Sequence, residues 1–589
     1  MKKLLAFFRD GKFEEILGCL AILVVIVPVI LNIINRSVLN SYSVPMEAVA
    51  LLAYVWIGYG FFGYLYEKDG HVDVKFIVGK LPPRGQAVMA LLRDVLILLF
   101  SAYMVYWGWR LFRTNLTRYA HPPGGRLRQH HLRLPQRRHP ELLRHRWPPH
   151  PQKEKGGPGM SFSIWLPLIL VLVLLALRIP VSMAFLSSAI FYFTCIATEM
   201  PLNMILSKMV SAGMNMNLMA IPFFITAGLL MNYTGITSRM MKFADLCVGH
   251  MWGGLAQVNV LLSTLMGGLC GSSNADAAMQ CKMLVPEMEK RGFDRAFSAA
   301  VTASSALISP MIPPGVMLIL YASITENSVL DMFMAGYLPG ILMCAVLMIA
   351  VAYVSHRDGY KPTREKRASL KEILKGLVEC FWAIVMIVVL IVGLRTGIVT
   401  ATEGGAVLCV LCVFVGMVIY RELHVRDLIV VAKESFASVA NVFGIIISAT
   451  VFGLYLTYAQ IPQQITRLIL GMDVGSIGFL MIVNVILLIM GMFVDSSAVL
   501  MIAVPLLYPV ALQLHIHPIH FGIVCILNLS IGALTPPFGA VMYQCCNLCK
   551  IEMPAFLKQG KELLLALLAA LLLVTFIPGI STLLPTLTK

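Results

Sequence analysis

Long apolar segments separated by short polar loops recur along almost the whole chain of 589 residues. Many of them have a length of about 17 to 25 residues, which a helix needs to cross a bilayer core of roughly 30 Å. The strict alternation of apolar and polar residues that a membrane barrel requires is absent from segments such as 15–35 and 560–585. The pattern therefore predicts an all-α polytopic membrane protein.

The apolar segments form two unequal units, residues 1–112 and residues 160–589. The first apolar segment follows charged residues and lacks a small-residue cleavage site, so we interpret it as a retained anchor and not as a signal peptide. The first unit has three predicted spans, and the second has the remaining spans or half-spans. They are predicted at 15–35, 48–66 and 88–112, and at 162–198, 219–235, 251–270, 276–287, 295–325, 336–355, 376–394, 402–420, 428–457, 475–512, 518–546 and 560–586.

Residues 113–159, between the two units, have a different composition. The stretch 118–155 contains eight arginines, two lysines, only two acids and six of the 13 histidines, and it is rich in proline. Such a sequence does not cross hydrocarbon. Three interpretations stay open: a basic linker on an anionic cytoplasmic surface, a solvated tether without a role, and a misread frame that replaces a fourth helix.

The composition and charge refine this picture. With 58% hydrophobic residues, 13% charged residues and a mean hydropathy of +0.82, the chain is too apolar for a soluble protein. About half of the formal charge of +16 lies in the stretch 118–155, so the charge does not predict a nucleic-acid partner. The loop 357–375 has seven Lys or Arg against three acids, and 290–295 is also basic, so both are predicted to face the cytoplasm.

Two sets of helix-breaking residues stand in the same order inside the apolar second unit. Ser272 precedes the proline pair at Pro313, and Ser496 precedes the pair at Pro536 at an almost equal spacing. Irregular backbone at membrane depth is tolerated only where protein or a water-filled cavity satisfies it, and transporters use such breaks to bind ions. The repeat predicts a transport site built twice, each half consisting of a hairpin tip and a broken helix.

Side chains that carry oxygen surround both tips and suit a hard cation such as sodium. Two acids among them have structural alternatives. Asp495 is either a functional residue or the N-cap of the half-helix that follows the second tip. Asp276 either caps the half-helix after the first tip or is a ligand.

The motifs also resemble those of a known family, the tripartite ATP-independent periplasmic (TRAP) transporters. The second unit resembles the large membrane subunit of this family at 271–278, 285–288, 290–294, 299–303, 312–314, 491–495 and 534–539. The first unit resembles the small membrane subunit through Arg36, Glu47, Trp56, 70–73 and 81–82. The small subunit usually has four helices, and the basic stretch stands where the fourth would lie.

The resemblance implies an inverted-repeat elevator-type transporter with two helical hairpins and two broken helices, plus a small helical scaffold subunit, in the bacterial inner membrane. It implies sodium-coupled uptake of an organic acid, such as a sialic acid or a C4-dicarboxylate, which a periplasmic substrate-binding protein delivers. The chain would then be a transporter and not an enzyme, with Na⁺ as its coupling ion and the lipid bilayer around it. The alternative is a passive channel, or another ion-coupled anion transporter that needs no binding protein.

The resemblance also implies site residues. The substrate would lie between the tips, near Ser272, Ser273 and Asp495. Gly315 stands where the family commonly has a serine, so a hydroxyl for the substrate is missing there. The sodium ligands would come from Ser272, Ser273, Asn274, Ser309 and Pro313 in the first half, and from Asp495, Ser496, Ser497, Gly532, Thr535 and Pro536 in the second.

Arg395, in the segment that joins the two halves, has two interpretations. It is a counter-charge for an acidic substrate, paired with Glu403 at rest, or it is an interfacial arginine whose guanidinium reaches the lipid headgroups.

Overall fold

The computed structural model describes residues 12–39, 44–60, 82–120, 162–177, 179–198, 203–472, 474–537 and 539–587. Within these ranges the regular elements are all helices, and no strand is present, as the hydrophobic pattern predicts. The basic stretch lies outside the described residues from position 121 onward, as does the 70–73 motif.

The helices are numbered in chain order. The first unit contributes α1 (Lys12–Leu39), α2 (Val44–Gly60) and α3 (Pro83–Ala120), and α3 continues past residue 112, where the sequence analysis ends this unit. The second unit contributes α4 (Phe162–Ala176), α5 (Val181–Phe191), α6 (Asn203–Gly213), α7 (Ala220–Tyr233), α8 (Ile236–Val248), α9 (Gly254–Cys270), α10 (Ser273–Lys290), α11 (Arg295–Ala306), α12 (Val316–Thr325), α13 (Val329–Asp358), α14 (Leu370–Glu379), α15 (Phe381–Arg395), α16 (Ala401–Phe414), α17 (Val425–Tyr458), α18 (Ile461–Gly471), α19 (Ser476–Phe493), α20 (Ser496–Gln513), α21 (Pro518–Gly532), α22 (Ala540–Cys549), α23 (Met553–Phe576) and α24 (Gly579–Leu587).

Seven of the described helices are long and apolar enough to cross a membrane. The number rises to nine if each of two bent pairs is one span: α7 with α8, bent by 73°, and α14 with α15, bent by 66°. Short π-helical turns extend α5 to Ile196 and α16 to Ile419. The chain is therefore a polytopic helical membrane protein.

The two halves of the second unit repeat the same helix order with a nearly constant offset along the chain. Helix α12 begins at Val316 and its counterpart α22 at Ala540. Helix α13 begins at Val329 and its counterpart α23 at Met553, at the same offset. By their order along the chain before these helices, α9 and α10 correspond to α19 and α20. The structure thus contains two helical hairpins, α9–α10 and α19–α20, and two broken helices, α11–α12 and α21–α22.

The two basic loops, 290–295 and 357–375, meet at one end of the molecule, which we call the basic face. The Tyr360 ring stacks on Phe293 with centroids 4.6 Å apart. The N–H of Gly253, next to the first residue of α9, donates to the carbonyl oxygen of Tyr360 at 3.3 Å. Both ends of the first hairpin therefore lie at the basic face.

The second hairpin enters from the opposite face. The loop before α17 lies at the basic face, because the Tyr420 hydroxyl donates to the carbonyl oxygen of Glu379 in α14 at 3.1 Å. With 34 residues, α17 is about 50 Å long and ends at the other face. The second hairpin follows from there and closes where the Ser476 hydroxyl donates to the carbonyl oxygen of Leu514 at 2.8 Å. The repeat is therefore inverted.

The first unit packs on the second mainly through α1 and α2. Tyr54 of α2 is almost fully buried, and its ring lies 4.3 Å, centroid to centroid, from the ring of Phe443 in α17. Its hydroxyl donates to the carbonyl oxygen of Leu218 at 3.2 Å. Burial of a large aromatic ring with a satisfied hydroxyl makes this a stable contact between the units.

Each hairpin crosses its broken helix at a glycine. A Cβ atom on Gly267 of α9 would lie 3.1 Å from the Cα of Ser309 and 2.9 Å from the Cβ of Ile312. In the second half, a Cβ on Gly532 of α21 would lie only 2.8 Å from the Cα of Gly491 in α19. The backbones approach so closely that no side chain fits between them, which is the usual way membrane helices pack on small residues.

We predict that Gly532→Ala lowers the melting temperature of the purified protein. The added methyl group meets backbone atoms that cannot move aside, and overpacking of this kind costs about 1–3 kcal/mol. Gly453→Ala in α17 is the matched control, because a Cβ there meets nothing within 4 Å. Equal melting temperatures for the two variants would contradict the tight crossing.

Candidate functional site

The first hairpin tip is built by a glycine and a serine. Gly271 ends α9 in the left-handed region, with φ of 61°, and a Cβ there would overlap the carbonyl oxygen of Pro314. Ser272 is the N-cap of α10, and its hydroxyl accepts from the N–H of Ala275 at 3.5 Å. The tip thus packs directly against the first proline pair.

The second tip has the same form with an acid at the cap. Asp495 is the N-cap of α20, and its carboxylate accepts from the N–H of Ser497 at 3.0 Å. The Ser496 hydroxyl donates to the carbonyl oxygen of Leu529, near the end of α21, at 3.0 Å. The N-cap alternative for Asp495 is therefore observed, and the capping carboxylate also lines the cavity described next.

The two broken helices interrupt at the predicted proline pairs. Between α11 and α12 the Pro313–Pro314 peptide bond is cis, and between α21 and α22 the Pro536–Pro537 bond is cis. Gly315, after the first pair, is the N-cap of α12, and no side chain caps that helix. The N-termini of α12 and α22 therefore follow the breaks directly.

Both tips line one cavity with a volume of about 540 Å³. The structure thus brings together the two halves of the predicted site. The predicted residues on its wall are Ser272, Ser273, Asn274, Asp495, Ser496 and Ser497, whereas Ser309, Pro313, Gly315, Arg395, Gly532, Thr535 and Pro536 lie off it. Of this second set, Ser309, Pro313, Gly315, Gly532 and Thr535 are buried in and around the breaks.

Asp276 has neither a basic partner nor a capping role in the part of the chain that the structure describes. It is 1% exposed, and its carboxylate accepts from the Gln280 amide at 2.7 Å and from the Ser309 hydroxyl at 3.0 Å. The same Gln280 amide donates to the Ser263 hydroxyl at 2.6 Å. Because Ser272 caps α10, the capping alternative for Asp276 is wrong; the carboxylate instead lies behind the tip, beside a predicted ligand residue.

Four polar residues on the cavity wall were missed by the sequence analysis. Glu434, Ser438 and Asn441 of α17 lie four and three residues apart, which places them on one face of a helix that is otherwise largely apolar. That spacing was a usable signal. Gln544 of α22, the fourth, donates to the carbonyl oxygen of Asn274 at 3.2 Å and so joins the first tip to the second broken helix.

The segment that joins the two halves is held by the first unit. Glu403 caps α16 together with Thr400, and its carboxylate pairs with Arg36 of α1 at 2.9 Å. Arg36 also donates to the carbonyl oxygen of Ile398 at 2.7 Å. The predicted pairing of Glu403 with Arg395 is therefore corrected: Arg395 is exposed, away from the cavity.

Comparison with known proteins agrees with this architecture. Residues 168–580 match the family model of the tripartite ATP-independent periplasmic transporter, DctM component, and residues 25–127 match that of the DctQ component. The sialic acid TRAP transporter large permease protein SiaM of Vibrio cholerae is 34% identical, over 67% of this chain and 92% of the relative. The C4-dicarboxylate large permease DctM of Pseudomonas aeruginosa is also 34% identical, over 64% and 88%.

One relative combines both components, as this chain does. It is the isethionate TRAP transporter permease protein DctMQ of Oleidesulfovibrio alaskensis, 32% identical over 62% of this chain and 57% of the relative. Among solved structures, the YdaH transporter of Alcanivorax borkumensis matches with a TM-score of 0.46 and 12% identity, over 71% of this chain and 98% of that one.

The fold and the doubled site define a polytopic membrane transporter with an internal repeat. The chain belongs to the TRAP transporter family and carries the small and large membrane components in one polypeptide. It is a permease and not an enzyme, as the family resemblance implied.

We predict that Arg36→Ala lowers the melting temperature of the purified protein. The substitution removes the cation from the carboxylate of Glu403, and because the ion pair is partly exposed its loss costs on the order of 1 kcal/mol. Arg395→Ala removes the same charge from an exposed position and is the control. A melting temperature that falls equally in both variants would contradict the role of Arg36.

Proposed function

We propose that this protein mediates sodium-coupled secondary active uptake of an organic acid that a periplasmic substrate-binding protein delivers. The observation that carries the proposal is the single cavity lined by both hairpin tips and by the first turns of α10, α12, α20 and α22. The relatives support the substrate class, because their names specify sialic acid and C4-dicarboxylates.

The four helix N-termini supply the attraction for an anionic substrate. Free N–H groups at a helix N-terminus carry partial positive charge and bind carboxylates. Among the described residues that line the cavity, none is Lys, Arg or His. We therefore expect the substrate carboxylate to bind between the tips, near Ser272, Ser273 and the N–H groups that follow Asp495.

The acids near the tips support two cation sites. Asp276 is buried without a basic partner, and a buried charge is costly unless it is compensated. A sodium ion held by Asp276, Ser309 and backbone oxygens of the first tip would compensate it. A second ion, held by Asp495, Ser496, Ser497 and carbonyl oxygens at the end of α21, would offset the capping carboxylate. Binding of the cations and of the anionic substrate would then favour each other.

The position of the cavity supports a state that is open toward the cytoplasm. Its wall includes the first two turns of α10, which runs from the tip toward the basic face, and part of α22. The residues that α17 contributes lie mainly in the half of that helix that begins at the basic face. The positive-inside rule assigns the basic face to the cytoplasmic side of the bacterial inner membrane. Transport would require the hairpins to move, as an elevator, against a scaffold to which the first unit belongs.

The direct test is uptake into proteoliposomes that contain the full chain. We expect the organic acid bound by the cognate binding protein to accumulate only when an inward sodium gradient and that binding protein are both present. Accumulation requires energy from the gradient, so dissipating it with a sodium ionophore should abolish uptake. Entry that persists without either the gradient or the binding protein would instead indicate the channel or another anion transporter.

We predict that Asp276→Asn and Asp495→Asn each raise the sodium concentration for half-maximal uptake about tenfold or more. Loss of one charged ligand that contributes about 1.4 kcal/mol corresponds to a tenfold loss of affinity. The measurement is the initial uptake rate as a function of sodium at constant ionic strength. Asp495→Asn preserves an N-cap residue, so the fold is retained.

Glu365→Gln is the control for these variants, because it removes an exposed carboxylate from the basic face. Its sodium dependence should equal that of the unsubstituted protein. Unchanged sodium dependence in both aspartate variants would contradict the assigned cation sites. Whether uptake requires sodium at all is decided separately, by the proteoliposome experiment.

A further inference from the structure

A second cavity, with a volume of about 470 Å³, lies at the basic face and belongs to neither hairpin. It is formed by three parts of the chain: the start of α8, the junction of α14 and α15, and the loop after α16. Its wall consists of Ser238, Arg239, Lys242, Val378, Glu379, Trp382, Tyr420 and Glu422. We call it the headgroup cavity.

The headgroup cavity lies at the level where the membrane ends. Trp382 is in the first turn of α15, and Tyr420 directly follows Ile419, where the α16 span ends. Ser238 and Arg239 lie just after the 73° bend that ends α7. Trp and Tyr are enriched at this depth because one part of the ring system is apolar and the other is wet.

An apolar helix face continues outward from the cavity. Helix α14 has apolar residues at helical spacing, and several of them are exposed: Leu370 by 78%, Leu374 by 53%, Leu377 by 38% and Val378 by 73%. The opposite side of α14 packs on α8, where a Cβ on Gly376 would overlap Leu246. An amphipathic helix of this kind lies in the membrane interface with its apolar face toward acyl chains. Val378, which belongs to both surfaces, joins the cavity to the lipid side.

The charges in the cavity balance one another. Two cations, Arg239 and Lys242, face two acids, Glu379 and Glu422. Arg239 is fixed by its ion pair with Glu422 at 2.7 Å and by stacking on Tyr420, with the guanidinium carbon 3.7 Å from the ring centroid. Within the described residues, the exposed Lys242 ammonium and Glu379 carboxylate have no hydrogen-bond or ion-pair partner. One cation and one anion are thus available to a ligand, beside a fixed guanidinium.

We propose that the headgroup cavity binds a zwitterionic phospholipid with a primary ammonium group, such as phosphatidylethanolamine. Lys242 and the outer edge of Arg239 bind the phosphate, Glu379 binds the ammonium, and the acyl chains lie along the exposed face of α14. An anionic headgroup would leave Glu379 facing negative charge. A choline headgroup offers no N–H donor to Glu379, and the face of Tyr420 that would hold a quaternary ammonium is covered by Arg239.

Native mass spectrometry of the purified full chain tests the proposal. The protein is exposed to an equimolar mixture of phosphatidylethanolamine, phosphatidylcholine and phosphatidylglycerol with identical acyl chains. We expect phosphatidylethanolamine to be retained preferentially. Lys242→Ala should lower its retention about tenfold, the change that corresponds to about 1.4 kcal/mol. Glu379→Gln should reduce the preference for phosphatidylethanolamine over phosphatidylcholine.

Lys375→Ala is the matched control, since it removes an exposed lysine from α14 outside the cavity and should leave retention unchanged. These lysines and Glu379 are exposed, so the fold does not depend on them. Preferred retention of phosphatidylglycerol or phosphatidylcholine would overturn the assignment of the headgroup. Equal loss of phosphatidylethanolamine in Lys242→Ala and Lys375→Ala would overturn the assignment of the cavity.

Discussion

Every feature of the transport site depends on one constraint: a helix that breaks inside a membrane must have its free backbone groups satisfied by protein or by a water-filled cavity. In this protein each break is covered by the tip of a hairpin from the same half. In the second half, the N–H of Gly539 donates to the carbonyl oxygen of Met492 at 3.1 Å, and Ser496 bonds the carbonyl of Leu529. Satisfied in this way, the breaks are tolerated at membrane depth.

The same constraint explains why glycine stands at the crossings. The bonds between tip and break are short, so the helices that carry them must approach backbone to backbone. Gly491 and Gly532 meet at one crossing, and Gly267 meets Ser309 at the other. Four helix N-termini then converge on a cavity whose described wall has two acids, Glu434 and Asp495, and no basic side chain. In the proposed function it is these N-termini that would bind the anionic substrate.

The two halves share a backbone plan but differ in chemistry. When the two N-caps Ser272 and Asp495 are aligned, the counterpart of Asp276 is Val499, a buried apolar residue. The acid of the second half is Asp495, the N-cap of α20, and its counterpart in the first half is Ser272, the N-cap of α10. One carboxylate therefore lies behind its tip and the other at the cavity wall. The two proposed cation sites would therefore differ in their access to the substrate.

The sequence predicted the features that depend on local chain chemistry. Most helices follow from the apolar segments, although the predicted segment 162–198 is divided into α4 and α5. Both tips and both breaks follow from glycine, serine and proline, which act within a few residues. The spacing of Glu434, Ser438 and Asn441 is also local and places them on one face of α17, but only the packing of α17 against the tips shows that this face lines the cavity.

What the sequence could not provide are contacts between distant residues. The partner of Glu403 is Arg36, 367 residues away, and nothing in the neighbourhood of either residue distinguishes it from the nearer Arg395. The position of Asp276 likewise depends on packing, since a carboxylate in the first turn of a helix is ordinarily stabilised there by the helix dipole. Only the crossing of α9 with the first break brings Ser309 to it.

The pairing of Arg36 with Glu403 has a consequence for how the two units work together. The joining segment between the halves is anchored at its end to α1, and Tyr54 of α2 anchors α17 to the same unit. Helix α17 also carries Glu434, Ser438 and Asn441 on the cavity wall. The first unit thus contacts the helix that forms one wall of the cavity, while the hairpin tips form the opposite wall. In the elevator mechanism proposed above, the helix held by the first unit would be the fixed wall against which the tips move, as alternating access to a single site requires.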